Sequence, residues 1–241
     1  MAFTTSGTQN DQFAFVILRD VAAQTQIDIS DENWTGSAFG TSDGAMITWV
    51  ADKAYPKGTL VQVLPTSDGS SASTHSYAVK IYSGVSTYTN VTGPGKQTGT
   101  FAFDPNSPIQ VTTVANTGNG LTGWSSGDQF FLFQGPADLA ERATGLQFLA
   151  GLTYNTAWLT GTPTPTAATG ANTYLPPGLT NGVNAVALTA TIGNGGVYDA
   201  SPNTGTAAQL AAAINNPANW ILDPSWKDLP RPAISALSVQ P

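Results

Sequence analysis

Turn-forming residues divide the chain into short apolar or alternating runs, and this spacing constrains the fold more than any other feature. Gly, with 25 residues, and Pro, with 16, interrupt helices and central strands and favour turns. The run Gln26–Ser30 alternates between polar and apolar residues. Its two isoleucines are therefore predicted to face a core, while Asp28 and Ser30 face water. Strands of this kind at this spacing favour an antiparallel β-sandwich over parallel βαβ units.

The same patterns predict most strands of an all-β fold and one short helix. The predicted strands are residues 13–18, 26–30, 46–50, 60–64, 77–82, 98–103, 109–114, 129–133 and 183–191. The helix is predicted near residues 206–216, where Thr206 is a suitable N-cap and Pro217 ends an alanine-rich run. Leu210 and Ile214 would form its apolar stripe. The predicted fold class is therefore all-β, an antiparallel β-sandwich with this one helix.

Residues 1–228 are predicted to form a single domain, followed by a C-terminal tail at residues 229–241. A Thr- and Pro-rich stretch within residues 160–180 has no helix or central-strand option, which predicts a long surface loop or else a linker. Strand signals resume at Val183, which favours the loop. In the tail, Ala233–Val239 alternates, so we expect either an edge strand of its own sheet or a donor strand for a neighbour.

Charge and composition exclude several classes of function. Charged residues make up 10% of the chain, with 8 Lys and Arg against 15 Asp and Glu, so attraction to nucleic acid is not expected. The absence of cysteine excludes disulfides, thiol catalysis and thiolate metal sites. The single histidine, His75, excludes sites built on several imidazoles. No run of about 18 apolar residues is present, so we expect no insertion into a membrane through a helix.

Two consecutive segments, Phe13–Val21 and Thr25–Trp34, resemble the opening of a bacterial secreted β domain. That domain begins with an F-A-F-V-x-L stretch and continues with T-x-I-x-F-T-D-x-x-W, and here Ile29-Ser30 stands in place of the aromatic–threonine pair. The resemblance covers most of residues 10–222. Its further segments are Gly36–Phe39, Ile47–Trp49, Lys57–Val61, Ser126–Phe130, Leu175–Leu179 and Ala207–Trp220, which ends in I-N-N-P-A-N-W.

The resemblance implies properties that the residues alone do not. Members of this family have a sandwich reminiscent of the immunoglobulin-like lamin-tail class. They occur in large exported or surface proteins and have no agreed catalytic activity. By resemblance, this chain is therefore expected to be a bacterial extracellular or cell-surface protein and not an enzyme.

An acidic cluster is the best candidate for ligand chemistry. Asp28, Asp31, Glu32 and Asp43 lie close in the sequence, and loop carboxylates supply the oxygen ligands that calcium requires. The alternative is that Asp31 and Asp43 form Asx turns by hydrogen-bonding the backbone two residues on. No cofactor is expected to be required, and calcium is the one that this cluster would bind.

The tryptophans suggest a second kind of site. Trp124 and Trp158 lie in loops rich in Gly and Thr and are predicted to be exposed. An exposed indole beside Asn or Asp can stack on the apolar face of a sugar, so these two are the candidate carbohydrate-binding residues. Trp34 and Trp49 lie next to predicted strands and are expected in the core.

Two functions follow as hypotheses. The first is a non-enzymatic structural protein that self-assembles into a bacterial surface layer, sheath or filament, with other copies of itself as partners. Low charge leaves little repulsion between copies, and Ile234, Leu237 and Val239 of the tail are the candidate assembly residues. The second is an adhesion module that binds a cell-surface glycan through exposed tryptophans.

Overall fold

The computed structural model describes most of the chain in thirteen stretches. They are residues 2–7, 13–40, 46–65, 77–82, 110–112, 128–136, 144–154, 157–164, 167–168, 172–188, 195–199, 202–222 and 237–241. The predicted strand at 98–103, together with Asp43, Trp124 and Ile234, lies outside these residues.

The described chain is mostly strands with one short helix. The strands are β1 (Ala2–Gly7), β2 (Phe13–Val16), β3 (Gln26–Ser30), β4 (Met46–Val50), β5 (Leu60–Pro65), β6 (Tyr77–Tyr82), β7 (Gln110–Thr112), β8 (Gln129–Gln134), β9 (Gln147–Thr153), β10 (Ala185–Ala187), β11 (Gly195–Tyr198), β12 (Thr204–Thr206), β13 (Trp220–Leu222) and β14 (Ser238–Gln240). The helix α1 (Ala207–Ile214) is followed by a 3-10 turn, Pro217–Asn219.

These strands form three open sheets. The seven-stranded sheet has the order β13-β11-β1-β2-β5-β6-β7 and is antiparallel throughout. The five-stranded sheet has the order β10-β9-β8-β3-β4, and β12 and β14 make a separate pair. The prediction of antiparallel sheets is wrong at two places, because β10 pairs with β9, and β12 with β14, in parallel.

One hydrophobic core contains side chains from both large sheets. Phe13 on β2 lies 4.9 Å from Phe130 on β8 between ring centroids, and Phe15 lies 6.0 Å from Trp49 on β4. All four rings are almost completely buried. Contacts of this kind hold the two sheets together, because each large aromatic side chain removes a large apolar area from water.

A second core lies on the opposite face of the five-stranded sheet. Along β8, Phe130 and Leu132 belong to the first core, whereas the alternate residues Phe131 and Phe133 belong to the second. The second core also contains Trp34, Phe39, Met46, Phe148, Trp158, Ala168, Tyr174, Leu179, Ala185 and Ala187. The five-stranded sheet is therefore buried on both faces.

Burial on both faces corrects the prediction for β3. Ile27 and Ile29 face the first core as expected, but Asp28 and Ser30 are fully buried and do not face water. The alternation in the sequence correctly separates two faces. It does not reveal that loop residues cover the second one.

The helix forms where the sequence predicts it. Thr206 caps α1, since its Oγ1 accepts a hydrogen bond from Gln209 N at 3.3 Å while Gln209 Oε1 accepts one from Thr206 N at 2.9 Å. Leu210 and Ile214 are fully buried. Trp220 Nε1 donates to the Ile214 carbonyl at 2.6 Å, which fixes the end of α1 to the start of β13. Across the described ranges, no helix has the length and apolar character needed to span a membrane.

Candidate functional site

Buried polar residues gather where β3 ends and β8 begins. The antiparallel register pairs Ser30 with Phe131, so the residues after β3 lie beside the residues that open β8. We call Asp31, Glu32, Asp128 and Gln129 the polar cluster; each is less than one-tenth exposed.

Hydrogen bonds tie the two strand ends of the polar cluster together. Asp128 Oδ1 accepts from the backbone N of Gln129 and from its Nε2, each at 2.8 Å. The same Nε2 donates to the Asp31 carbonyl at 2.6 Å. Glu32 N donates to Ser30 Oγ at 3.1 Å, so Ser30 shapes the turn after β3. Gln129 is the residue that links the two ends, and the sequence analysis did not single it out.

Asp28 is held within the five-stranded sheet rather than in a loop. Thr48 Oγ1 on β4 donates to Asp28 Oδ1 at 2.6 Å, and Gln26 Nε2 donates to both carboxylate oxygens at 2.9 and 3.0 Å. Burial raises the pKa of Asp28 above its ordinary value, and the hydrogen bonds from Thr48 and Gln26 oppose this by lowering the pKa. Asp28 therefore hydrogen-bonds with a residue of its own strand, β3, and with a residue of β4.

The calcium site remains a prediction. Asp31 and Glu32 belong to the polar cluster, whereas Asp28 hydrogen-bonds within the sheet and Asp43 is outside the described residues. In the described stretches, no three or more His, Cys, Asp or Glu side chains are arranged to hold a metal ion.

The structure corrects the prediction for Trp158. It is 9% exposed, and its ring centroid lies 6.0 Å from that of Phe131 in the second core. Its Nε1 donates to Asn181 Oδ1 at 3.0 Å. A ring buried in this way presents little surface on which a sugar can stack. Trp34 and Trp49 are buried as expected, at 3% and 1% exposed.

The segment predicted as a surface loop, residues 160–180, is only partly exposed. Residues 160–164 are exposed, as predicted, and Pro163 packs against Gly36 so closely that a Cβ at Gly36 would lie 2.2 Å from the proline Cβ. Further along, Thr173 and Tyr174 are buried, and Thr173 Oγ1 accepts from Trp34 N at 2.8 Å. The segment therefore covers the outer face of the five-stranded sheet.

The end of the predicted tail pairs within its own chain. β14 lies in parallel with β12, and Leu237 just before it is 6% exposed in the first core. Val239 is half-buried and packs against the same core. Of the two roles predicted for the tail, the structure therefore contains the intramolecular one, although β14 pairs with β12 and joins neither large sheet.

A small cradle receives β14. We call β12 and the turn Pro56–Thr59 the tail cradle. Lys57 Nζ donates to the Gln240 carbonyl at 3.1 Å. Gly58 has φ +90°, and a Cβ there would lie 2.5 Å from the Leu237 carbonyl oxygen, so only glycine allows β14 to approach this closely.

The seven-stranded sheet ends at an uncharged edge. Among the described strands, β13 is its outermost one and consists of Trp220, Ile221 and Leu222. Ile221 is 38% exposed and, with Val183 at 58%, is one of two large hydrophobic residues that are exposed among the described residues. The sequence analysis missed β13, because a three-residue run directly after a helix has too little periodicity to be recognised.

Comparison of the chain with protein-family models, with curated proteins and with solved structures finds no match. The described residues include two features with defined geometry near the end of the chain: the exposed Ile221 on β13, and the contacts of the tail cradle with β14.

Proposed function

We propose that this chain is a non-enzymatic, extracellular structural protein and that copies of it associate into a bacterial surface layer, sheath or filament. In this proposal the two large sheets pack face to face as a lamin-tail-like β-sandwich, consistent with the 4.9 Å contact between Phe13 and Phe130. The association of copies is carried by one observation, the uncharged edge at β13 with its exposed Ile221.

The composition of β13 favours association at its outer edge. The outer edge of a strand presents backbone N–H and C=O groups that can pair with another chain, and proteins usually protect such edges with charges, proline or a covering element. β13 contains no charged residue and no proline; Asp223 and Pro224 follow only after the strand. A second copy can therefore add a strand along β13 and cover Ile221 at the same time.

The character of the whole chain supports the same proposal. A net charge of -7 over 241 residues gives weak repulsion between copies. A five-stranded sheet with cores on both faces makes a rigid unit, because close-packed interiors resist deformation. Rigid, weakly charged units are suited to a repeating array.

The test compares two exposed apolar positions. Ile221→Lys puts a charge on the β13 edge, whereas Val183→Lys puts the same charge on an exposed turn outside the sheets. We expect wild type and Val183→Lys to form assemblies in light scattering and negative-stain micrographs, and Ile221→Lys to shift to monomers. Wild-type protein that stays monomeric at every concentration contradicts the proposed function. Assembly by Ile221→Lys equal to that of wild type contradicts the role of β13.

A chelator arm of the same experiment addresses calcium. We expect EGTA to leave the assemblies intact, because no cofactor is required in this proposal. Assemblies that dissolve in EGTA and return with added Ca²⁺ would instead give the cation a role in assembly, with Asp31, Glu32 and Asp43 as its first candidate ligands.

A further inference from the structure

We infer that assembled copies exchange β14, so that the strand of each copy occupies the tail cradle of a second copy. This inference rests on the proposed function and names its partner and its contact: a second copy of this chain, bound through residues 237–241. Three features support exchange: β14 is separate from the large sheets, the tail cradle is specific for β14, and residues 223–236, which lead to β14, begin at the end of β13.

β14 is joined to the rest of the molecule by few interactions. It pairs with β12 through three residue pairs, Thr204 with Ser238, Gly205 with Val239 and Thr206 with Gln240. It belongs to neither large sheet. Elements held by few contacts are those that open first while the rest of a protein stays folded.

The tail cradle nevertheless recognises this strand specifically. Ser238 N donates to the Asn203 carbonyl at 2.8 Å, and Lys57 Nζ donates to the Gln240 carbonyl at 3.1 Å. Leu237 enters the first core, and Gly58 leaves the space for its carbonyl oxygen. An open cradle would expose the core position of Leu237, so occupation by some copy of β14 is favoured.

Exchange preserves every one of these contacts. A second copy supplies the same residues in the same register, and exchange of an identical element between protomers is a low-cost route to oligomers. The segment 223–236 joins β13 to Leu237 and, if fully extended, a segment of this length spans about 45 Å. It can therefore reach the cradle of an adjacent copy.

The proposed contact at β13 brings the exchanging segments together. Residues 223–236 begin directly after Leu222, the last residue of β13. Two copies that meet along β13 therefore place the origins of both segments at one interface. Reciprocal exchange of β14 then closes the pair.

A crosslinking experiment between different variants tests the exchange. Thr204 and Ser238 are exposed and directly paired, and the chain has no cysteine of its own. Thr204→Cys and Ser238→Cys are made in separate chains, unfolded together, refolded and oxidised under conditions in which wild type assembles. Each chain has one thiol, so a disulfide that joins residue 204 to residue 238 requires the β14 of one copy in the cradle of another.

We expect the mixture to give disulfide-linked dimers whose mapped peptide joins residues 204 and 238, several-fold above a control mixture of Val183→Cys with Ser238→Cys. A yield equal to the control, with the wild type assembled, overturns strand exchange and leaves the proposed function standing. Wild type that does not assemble overturns the proposed function itself, and in that case the crosslink also stays at the control level.

Discussion

At the scale of single residues, a carboxyl group placed inside a sheet makes stability depend on pH. Asp28 is fully buried between two strands, and its oxygens accept hydrogen bonds from Thr48 and Gln26. Burial of a charge is costly, and the hydrogen bonds return only part of that cost. The protonated form of Asp28 is therefore favoured by the folded state more than by the unfolded chain.

The first prediction concerns the variant Asp28→Asn and pH. The folded pKa of Asp28 lies above the ordinary value of 3.8, so the folded state binds more protons between these two values. The contribution of Asp28 to the free energy of unfolding is therefore largest below pH 3.8 and is lost as pH rises through the folded pKa. Urea unfolding from pH 3 to 8 should show this loss in wild type and not in Asp28→Asn.

At neutral pH we expect Asp28→Asn to be at least as stable as wild type, because an amide retains an acceptor for Thr48 and carries no charge. Parallel pH profiles for the two proteins would show that burial does not perturb this carboxyl group. Thr48→Val is the matched control, since it removes the hydroxyl that favours the charged form. Thr48→Val should raise the folded pKa of Asp28 further and so enlarge the loss of stability with rising pH.

At the scale of elements, β14 stands out because it is the described strand farthest along the chain and yet contributes to the first core through the adjacent Leu237. Its parallel pairing with β12 brings it next to the start of α1. The tail cradle binds β14 through one buried side chain, Leu237, and through hydrogen bonds to the backbone. These contacts are specific for β14, and they are few enough for β14 to be exchanged between copies.

The second prediction, at the scale of elements, concerns the removal of residues 229–241. We expect assemblies to become monomers, measured by light scattering, because the truncated chain has no strand to offer a second cradle. Circular dichroism has to show that the truncated chain stays folded. Leu237→Ala is the milder variant; it should cost about 2–5 kcal/mol of stability and weaken assembly. Polymers that persist after truncation would refute the role of the tail.

At the scale of the whole molecule, the five-stranded sheet is a buried middle layer with a core on each side. This arrangement is consistent with the low content of charged residues, since charged side chains are rarely fully buried. Phe131 is therefore buried as completely as Phe130, although the two point to opposite faces of β8.

The prediction that follows compares the two faces of β8. Phe130→Ala and Phe131→Ala should each lower the free energy of unfolding by about 3–5 kcal/mol, measured by chemical denaturation. If one face of the sheet were exposed to solvent, only Phe130→Ala would cause a large loss in the free energy of unfolding. Val183→Ala, at a position that is 58% exposed, is the control and should change stability by less than about 0.5 kcal/mol.

Local patterns predicted the elements whose determinants are local. The alternation of Gln26–Ser30 and the cap and apolar stripe of α1 were sufficient, because each depends on residues a few positions apart. β9 was missed, because its Ala and Gly carry little strand propensity. Gly151 also leaves room for a tertiary neighbour: a Cβ at this position would lie 2.9 Å from Leu179 Cδ1, so Leu179 would have to shift.

For the candidate sites too, local sequence did not predict the contacts that depend on tertiary structure. Sequence proximity suggested that Asp28 acts with Asp31 and Glu32, but the strand pairing directs Asp28 to Thr48 and leaves Asp31 near Gln129. Trp158 was predicted to be exposed from the loop around it, yet the distant Phe131 and Asn181 bury and bind its indole. These partners are far apart in the chain, and no local pattern encodes them.

By itself, the sequence determined that the chain is mostly strands, where several of them and the one helix lie, and which residues alternate between two faces. Those properties depend on the backbone preferences of neighbouring residues. Only the tertiary structure decided that both faces of the five-stranded sheet are buried, that two strand pairs are parallel, and that β13 and β14 pair with β11 and β12. The physical reason is that burial and strand pairing depend on which distant segments meet, and each such contact is selected by the packing of the whole chain.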